Sequence, residues 1–163
     1  MMTDCKLCSL EEYLKLIEHE EITYAQPHKP AIPGHVLMIP KQHVAIIEQI
    51  PDEEFGKMMV QANKVSMALF ESLQAQGTNI IIQNGISAGQ KDPHVCVHVI
   101  PRREEDGLNF LWVPKTLNEE EMSTIELRIK ENLTVQLKPK EVEPPKPEKV
   151  TDDYLLKQLH RIP

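Results

Sequence analysis

The chain has 163 residues, enough for one folded domain with appended segments, and its acidic residues outnumber Lys and Arg by 25 to 18. An acidic chain lacks the basic surface that extended nucleic-acid binding requires, although a local patch could still hold one or two phosphates. No window reaches the roughly 18 apolar residues of a membrane span and the N-terminal sequence has no signal-peptide pattern, so we expect a cytoplasmic protein.

The first third of the chain predicts a knuckle, two strands and a loop. The CxxC segment 5–8 is followed by apolar residues that predict a short amphipathic helix: Leu10, Leu14, Leu16 and Ile17. Branched and aromatic residues predict a strand over 21–25. Three prolines and a glycine make 26–34 a loop, and 35–39 is a second, mostly apolar strand.

The clearest predicted helix begins at Pro51-Asp52, with Asp52 as N-cap and apolar residues recurring at three- and four-residue spacing up to Leu73. Gly77 closes that connection. Further strands are predicted over 78–83 and 94–100, with an Asn84-Gly85 turn between them. A helix from Asn118 to about Glu131 follows, and 134–137 could add an edge strand.

The C-terminal part predicts an appendage. Residues 138–150, KPKEVEPPKPEKV, have the composition of an extended linker, and 151–163 predict a tail with a short helix over 151–160. We therefore expect a domain over 1–137, a linker and a tail. Helices mixed with antiparallel strands, without a repeating βαβ rhythm, indicate the α+β class.

One strand carries the candidate chemistry. Side chains alternate between the two faces of a strand, so His94, Cys96 and His98 share one face at intervals of roughly 6.6–6.8 Å. Three valines between and after them, at 95, 97 and 99, face the core. The segment could still be an amphipathic edge strand with solvated histidines.

The blocks around this strand add to the signal. Pro-Gly-His at 33–35 and Ile-Pro-Lys-x-His at 39–43 lie upstream, Ala-Gly-Gln at 88–90 lies just before it, and Ile-Pro-Arg at 100–102 closes it. Over residues 5–103 the chain resembles the histidine triad (HIT) family, whose signature is His-x-His-x-His followed by two apolar residues. Each block alone is a weak signal, but four in register are strong.

The resemblance implies a five-stranded antiparallel sheet with two main helices, commonly paired as a homodimer in which two sheets join. It also implies a purine nucleoside phosphate ligand, cleaved at the α-phosphorus by hydrolysis or transfer. Cys96 stands where the family has its nucleophilic histidine. His98 matches the residue that contacts the phosphate and assists the leaving group. His35 matches a histidine behind the nucleophile, although a satisfied core histidine is almost as good a reading.

The resemblance also places a nucleotide-binding set, namely Gln83, Gly89, Gln90, Lys91 and His98. Lys91 stands where relatives carry Ser or Thr near the phosphates, and it could bind phosphate as a point charge or be solvated. Pro27 occupies a position where relatives often carry a ribose-contacting Asp or Asn, and proline offers neither an N–H nor a polar side chain.

A metal site is expected at the N-terminal knuckle. Cys5 and Cys8 have the spacing that lets two thiolates reach one tetrahedral ion, and His43 and His94 could complete a Cys₂His₂ set. Four protein ligands leave no open position, which describes structural zinc. A redox pair or two buried free thiols are the alternatives. Zinc-bearing HIT proteins have ligands at the matching positions.

Cys96 leaves the activity open, because a thiol must lose its proton before it attacks, whereas a neutral imidazole need not. An anionic phosphate site could raise the pKa of the thiol, or nearby cations, from among Lys91, Arg102 and Arg103, could lower it. Cys96 could be a working nucleophile with His98 as acid, the chain could bind nucleotide with little or no turnover, or cysteine could be an engineered replacement. We expect a hydrolase or transferase acting on nucleoside phosphoramidates or dinucleoside polyphosphates.

Overall fold

A computed structural model describes residues 5–137. The predicted linker at 138–150 and the predicted tail at 151–163 lie outside the described residues. The chain divides into two compact units, with the boundary between Phe110 and Leu111. The first unit contains the whole sheet and the candidate site. The second contains one long helix among its described residues.

The first unit is built on a five-stranded antiparallel sheet with the order β1-β2-β3-β5-β4, which confirms the expected α+β fold. Strands β1 and β4 form its two edges. A short helix, α1, covers Lys6–Ser9, and the long helix α2 joins β3 to β4. The strands are β1 (Tyr13–His19), β2 (Ile22–Pro27), β3 (Val36–Pro40), β4 (Gly77–Ile82) and β5 (Val97–Arg102).

The two faces of the sheet bury different side chains, because neighbouring residues of a strand point in opposite directions. Helix α2 packs on one face over a large apolar cluster that includes Val36, Met38, Val97 and Val99. The other face carries a smaller cluster of five buried residues, on which Cys96 packs: Cys5, Leu7, Ala25, Leu37 and Ile39. The candidate site lies on this second face.

The helix predicted around residues 10–17 is wrong. Helix α1 ends at Leu10, whose φ of 58° is left-handed, and the chain then enters β1. Leu14 and Leu16 alternate at a spacing of two as well as lying within helical spacing of Ile17, so the apolar pattern fits both structures. Antiparallel pairing with β2 shows that the segment is a strand. The side chains of Leu14, Leu16 and Ile17 remain about half exposed at this edge of the sheet.

Helix α2 spans Asp52–Leu73, as the periodicity predicts. Its N-cap is Pro51 rather than Asp52, so Asp52 opens the first helical turn, where its charge favours the helix dipole. The left-handed Gln74 ends the helix, and Gly77 is already the first residue of β4. The strand therefore begins one residue earlier than predicted.

Strand β5 begins at Val97, three residues later than predicted. The alternation of faces nevertheless extends upstream, because Val95 is buried in the same cluster as Val97 and Val99. The N–H of Val95 donates to the carbonyl of Val44 at 2.8 Å. Residues 94–98 thus hold the expected directions even though hydrogen-bonded pairing starts partway along.

In the second unit, helix α3 spans Glu119–Gln136 and begins with a capping box formed by Asn118 and Glu121. The edge strand predicted at 134–137 is wrong, since the helix continues through those residues to Gln136. A capped N-terminus and good helix formers outweigh the β-branched Thr134 and Val135. Neither long helix of residues 5–137 has an apolar run that could cross a lipid bilayer.

Candidate functional site

The four predicted metal ligands converge on one point. Sγ of Cys8 lies 3.3 Å from Nδ1 of both His43 and His94, and Sγ of Cys5 lies 3.5 Å from Nδ1 of His94. All four donor atoms lie within 4.8 Å of one another. These residues could hold a metal ion, as the ligand pattern predicts.

Local structure fixes three of these ligands. The first turn of α1 places Cys5 and Cys8 side by side, because the N–H of Cys8 donates to the carbonyl of Cys5 at 3.1 Å. Nε2 of His94 lies 3.0 Å from the carbonyl oxygen of Pro40. A proton on that nitrogen leaves Nδ1 free as a donor to metal, a common orientation for metal-binding histidine.

Burial, together with the neighbouring Cys5 thiol, raises the pKa of Cys8 to about 11. Without a cation the Cys8 thiol therefore keeps its proton at neutral pH. A divalent metal would displace that proton, since it binds the thiolate. Cys8 is thus suited to hold metal rather than to react as a free thiolate.

Beside the four candidate ligands, which we call the metal cluster, lie three hydrogen-bonded side chains that we call the relay: His35, His98 and Cys96. Nε2 of His35 lies 3.1 Å from Nδ1 of His98, and Nε2 of His98 lies 3.3 Å from Sγ of Cys96. The two imidazole rings stack with centroids 5.2 Å apart. His35 therefore contacts His98, whereas the sequence places it behind Cys96.

A backbone group determines where the protons of the relay lie. The N–H of Ala31 donates to Nδ1 of His35 at 3.3 Å, so a neutral His35 has its proton on Nε2 and donates it to His98. Nδ1 of His98 then accepts, and its own proton lies on Nε2, facing Cys96. His98 is in this way oriented as a donor toward the reactive side of the site.

Burial keeps the relay uncharged at neutral pH. Desolvation, with the neighbouring His98, lowers the pKa of His35 to about 4. Desolvation also lowers the pKa of His98. It raises the pKa of Cys96 to about 12, with a smaller contribution from the charge of Asp92. Cys96 is therefore a protonated thiol that accepts a hydrogen bond.

The Ala-Gly-Gln loop is held by its own glutamine. The side chain of Gln90 accepts from the N–H of Gly85 at 2.7 Å and donates to the carbonyls of Ala45 and Asp92 at 2.7 and 2.9 Å. Its amide is already bonded within the protein, so Gln90 shapes the loop. A direct contact of Gln90 with nucleotide stays a prediction.

Gly89 allows Gln83 to lie against this loop. Gly89 has φ +92°, and a Cβ there would come within 2.6 Å of Nε2 of Gln83. The N–H groups of Gly89 and Gln90 donate to the carbonyls of Ile86 and Gly85, so they are not free to hold an oxyanion. Among the backbone N–H groups of residues 89–91, that of Lys91 remains to bind a negatively charged phosphate oxygen.

The relay lines a cavity of about 310 Å³. His94 and three of the predicted nucleotide-binding side chains, Gln83, Gln90 and Lys91, line it as well. Sequence reasoning missed Tyr13, Lys29 and Asp92, which complete its mouth. The misassigned helix hid Tyr13, whose cross-strand partner is Pro27. Lys29 and Asp92 lie on loops, where the sequence pattern does not show in which direction a side chain points.

Arg102 and Arg103 do not serve this cavity. The guanidinium of Arg102 forms an ion pair with Asp106 and donates to Asn79 and to the carbonyl of Leu108. Arg103 donates to the carbonyl of Leu73. Both cations are bound to partners in β4, in α2 and in the loop after β5, and neither lines the cavity around Cys96. Of the three cations suggested by sequence, only Lys91 lies at the site.

Residues 11–105 match the family model of the HIT domain. The chain is 40% identical over 78 residues to the asymmetrical bis(5'-nucleosyl)-tetraphosphatase of Schizosaccharomyces pombe, covering 48% of this chain and 43% of that protein. It is 34% identical to the bis(5'-adenosyl)-triphosphatase of Dictyostelium discoideum, covering 61% of this chain and 73% of that protein. The chain thus spans less than half of the first relative's length.

Two further proteins match over most of this chain. An adenosine 5'-monophosphoramidase of Candida albicans is 29% identical, covering 79% of this chain and 89% of that protein. The crystal structure of a zinc-bound histidine triad family protein from Mycobacterium smegmatis superposes with a TM-score of 0.61 at 28% identity, covering 81% of this chain and 97% of that one.

Proposed function

The chain belongs to the HIT family, and from that premise we propose that it is a nucleotidyl hydrolase or transferase that cleaves purine nucleoside phosphate derivatives at the α-phosphorus. The observation that carries the proposal is the relay, which ends at Cys96 inside a cavity of about 310 Å³. Relatives named as dinucleoside polyphosphatases and as a phosphoramidase support the reaction class.

In the proposed reaction, Sγ of Cys96 bonds to the α-phosphorus while the bond to the leaving group breaks. His98 gives its Nε2 proton to the leaving atom and takes the proton of the thiol in exchange, which its 3.3 Å contact with Sγ allows. Water then attacks phosphorus, the S–P bond breaks, and the thiol regains a proton as nucleoside monophosphate leaves. His35 orients His98 and touches no reacting atom.

Nucleotide contacts are proposed for Gln83, Gly89, Gln90 and Lys91, together with His98. Lys91 is exposed at the cavity mouth and can bind phosphate as a point charge. Gln83 lies over Gly89 and can turn its amide toward a ligand. For Gln90 we propose that it holds the loop around the ligand, since its amide is bonded to Gly85, Ala45 and Asp92.

The metal is proposed to be structural zinc. Zn²⁺ with bonds of about 2.0–2.3 Å to nitrogen and sulfur keeps its donor atoms roughly 3.3–3.8 Å apart. The measured contacts of 3.3, 3.3 and 3.5 Å in the cluster fit that spacing. The ion would supply no chemistry to the reaction. It would fix Cys5 and Cys8 to the segment that carries His94, beside the relay.

A homodimer is proposed on the free edge of the sheet. Strand β4 has no neighbouring strand on its outer side in the described part of the chain, and its Ile80 is 39% exposed. Helix α2, which contacts β4, exposes Val60, Met67 and Phe70. Sedimentation equilibrium would test this, because a monomer at all concentrations would contradict it. The cytoplasmic location stays a prediction.

The activity is tested by incubating the protein with an adenosine phosphoramidate and, separately, with a diadenosine polyphosphate, and measuring the AMP released. We expect release by the natural chain and none above background by Cys96→Ala. Equal release by both proteins would show that Cys96 is not the nucleophile. Release by neither would mean that the chain does not catalyse this reaction.

One observation favours a second candidate, a nucleotide-binding module with little or no turnover. Burial raises the pKa of Cys96 to about 12, which leaves almost no thiolate at neutral pH. Saturable binding of AMP without product release would support this candidate. Steady consumption of either substrate would exclude it.

A further inference from the structure

The cavity that holds the relay adjoins a second, larger one of about 560 Å³, which we call the outer cavity. Five residues line both: Tyr13, Pro27, Lys29, Lys91 and Asp92. Since the same residues line both, the two cavities lie side by side along these residues, which we call the junction. A ligand whose phosphorus lies at Cys96 can therefore extend past the junction into the outer cavity.

Two lysines stand at the junction without an ion-pair partner. Within residues 5–137, neither Lys29 nor Lys91 forms a salt bridge, whereas Lys6, in the outer cavity, is paired with Glu12 at 2.7 Å. The remaining acidic groups that line the two cavities are Asp92 at the junction and Glu11 farther out. Both ammonium groups are thus available to an anion at the point where the cavities meet.

The backbone that carries each lysine is anchored close to the relay. Lys91 follows Gln90, whose side chain makes three hydrogen bonds that fix the loop. Lys29 lies two residues before Ala31, whose N–H is bonded to His35. The N–H of His28 donates to the carbonyl of Glu12 at 3.1 Å and ties that loop to β1. Both lysines are exposed, yet their positions beside the site are set.

Building on the proposed function, we propose that Lys29 and Lys91 bind the phosphates of the leaving group and so select dinucleoside polyphosphates over phosphoramidates. The phosphates between the two nucleosides would lie at the junction, and the departing nucleotide would occupy the outer cavity. Two point charges there stabilise the negative charge that develops on a phosphate leaving group. The amine leaving group of a phosphoramidate carries no such charge and gains nothing from them.

The test compares kcat/KM for diadenosine tetraphosphate and for adenosine phosphoramidate in the natural chain, Lys29→Gln, Lys91→Gln and the double variant. We expect Lys29→Gln to lose at least about tenfold on the polyphosphate and less than about twofold on the phosphoramidate. Lys91 also belongs to the proposed nucleotide-binding set, so the double variant should lose activity on both substrates, by at least about tenfold more on the polyphosphate. Lys64→Gln is the matched control, because Lys64 is an exposed lysine of α2 that lines neither cavity.

Equal losses on both substrates, or no loss on either, would overturn the role of the two lysines and leave the proposed function standing. A natural chain that cleaves the phosphoramidate but not the polyphosphate would overturn it in the same way. A natural chain that cleaves neither would remove the proposed function and this selectivity together. A loss confined to the polyphosphate in Lys29→Gln, and absent from Lys64→Gln, is the supporting result.

Discussion

The metal cluster and the relay are neighbours on one extended segment, and they differ in kind. His94 belongs to the cluster, while Cys96 and His98, two and four residues later, belong to the relay. In the cluster four donor atoms converge on one point, a closed arrangement that suits a structural ion. In the relay three groups lie in line, and the last of them faces a cavity.

Alternation along the segment explains how the two can coexist. Residues 94, 96 and 98 share a face at intervals of roughly 6.6–6.8 Å, and His94 lies against Cys5 and Cys8 while Cys96 and His98 lie against each other. Cysteines in the two places therefore do different work. Cys8 approaches two histidines in a cluster that could hold a metal ion, and Cys96 accepts one hydrogen bond from His98. Substitutions should affect stability in one region and activity in the other.

The largest effect is expected from Cys8→Ala. Loss of one thiolate opens the metal shell and leaves the knuckle of residues 5–8 unanchored, so bound zinc should be lost. We expect a destabilisation of at least about 3 kcal/mol and a fall in Tm of roughly 10 °C. Metal analysis and thermal unfolding measure both. Cys96→Ala is the matched control, and it should keep one zinc per chain. A similar loss of metal from Cys96→Ala would show that the metal cluster and the relay do not act separately.

A smaller loss of stability is expected from Gly34→Ala, next to His35. Gly34 has φ +90°, and a Cβ there would lie 2.3 Å from Cδ1 of Leu73 and 3.1 Å from Cγ of Pro101. Strain and overlap together should cost about 2 kcal/mol, measured by urea unfolding. Gly56→Ala, inside α2 with nothing within 4 Å, should instead stabilise by about 0.5–1 kcal/mol. Equal effects at the two sites would contradict the packing at Gly34.

Cys96→His should raise kcat/KM at neutral pH by at least about tenfold, or roughly 1.4 kcal/mol. Burial raises the pKa of the Cys96 thiol, so nearly all of it is protonated, whereas a neutral imidazole attacks without first losing a proton. Steady-state kinetics on adenosine phosphoramidate measure the gain. Zinc content and Tm should stay unchanged. An unchanged or lower rate would place the limit elsewhere in the site, with Pro27 and Lys91 as the next positions to vary.

A further effect, confined to acidic pH, is a pH dependence of stability from the relay. The pKa of His35 is about 4 in the folded chain and near its usual 6.5 when unfolded, so between these values the unfolded chain binds more protons. This contribution is present above pH 6.5 and is lost as the pH falls toward 4. Urea unfolding at several pH values should show a flatter profile for His35→Gln. A slope unchanged by that substitution would contradict the neutral relay.

Residue identity and spacing predicted that the side chains of Cys5, Cys8, His43 and His94 converge, and they do; that they hold zinc stays a prediction. The sequence does not predict the contact between His35 and His98. It depends on the register of β3 against β5, in which Leu37 pairs with His98, and on where the two rings turn. The sequence predicts a helix at the edge strand β1, because Leu14, Leu16 and Ile17 fit the periodicity of a helix as well as that of a strand. The hydrogen bonds of the Gln90 side chain connect different loops, and no sequence pattern predicts them.

The most direct measurement is mass spectrometry of the protein quenched during turnover of diadenosine tetraphosphate, with the peptide that carries Cys96 sequenced. If Cys96 attacks the α-phosphorus, that peptide gains one adenylyl group through sulfur, and the adduct is absent from Cys96→Ala. Turnover with an unmodified Cys96, or with the adenylyl group on His98 instead, would contradict the proposed chemistry of the relay.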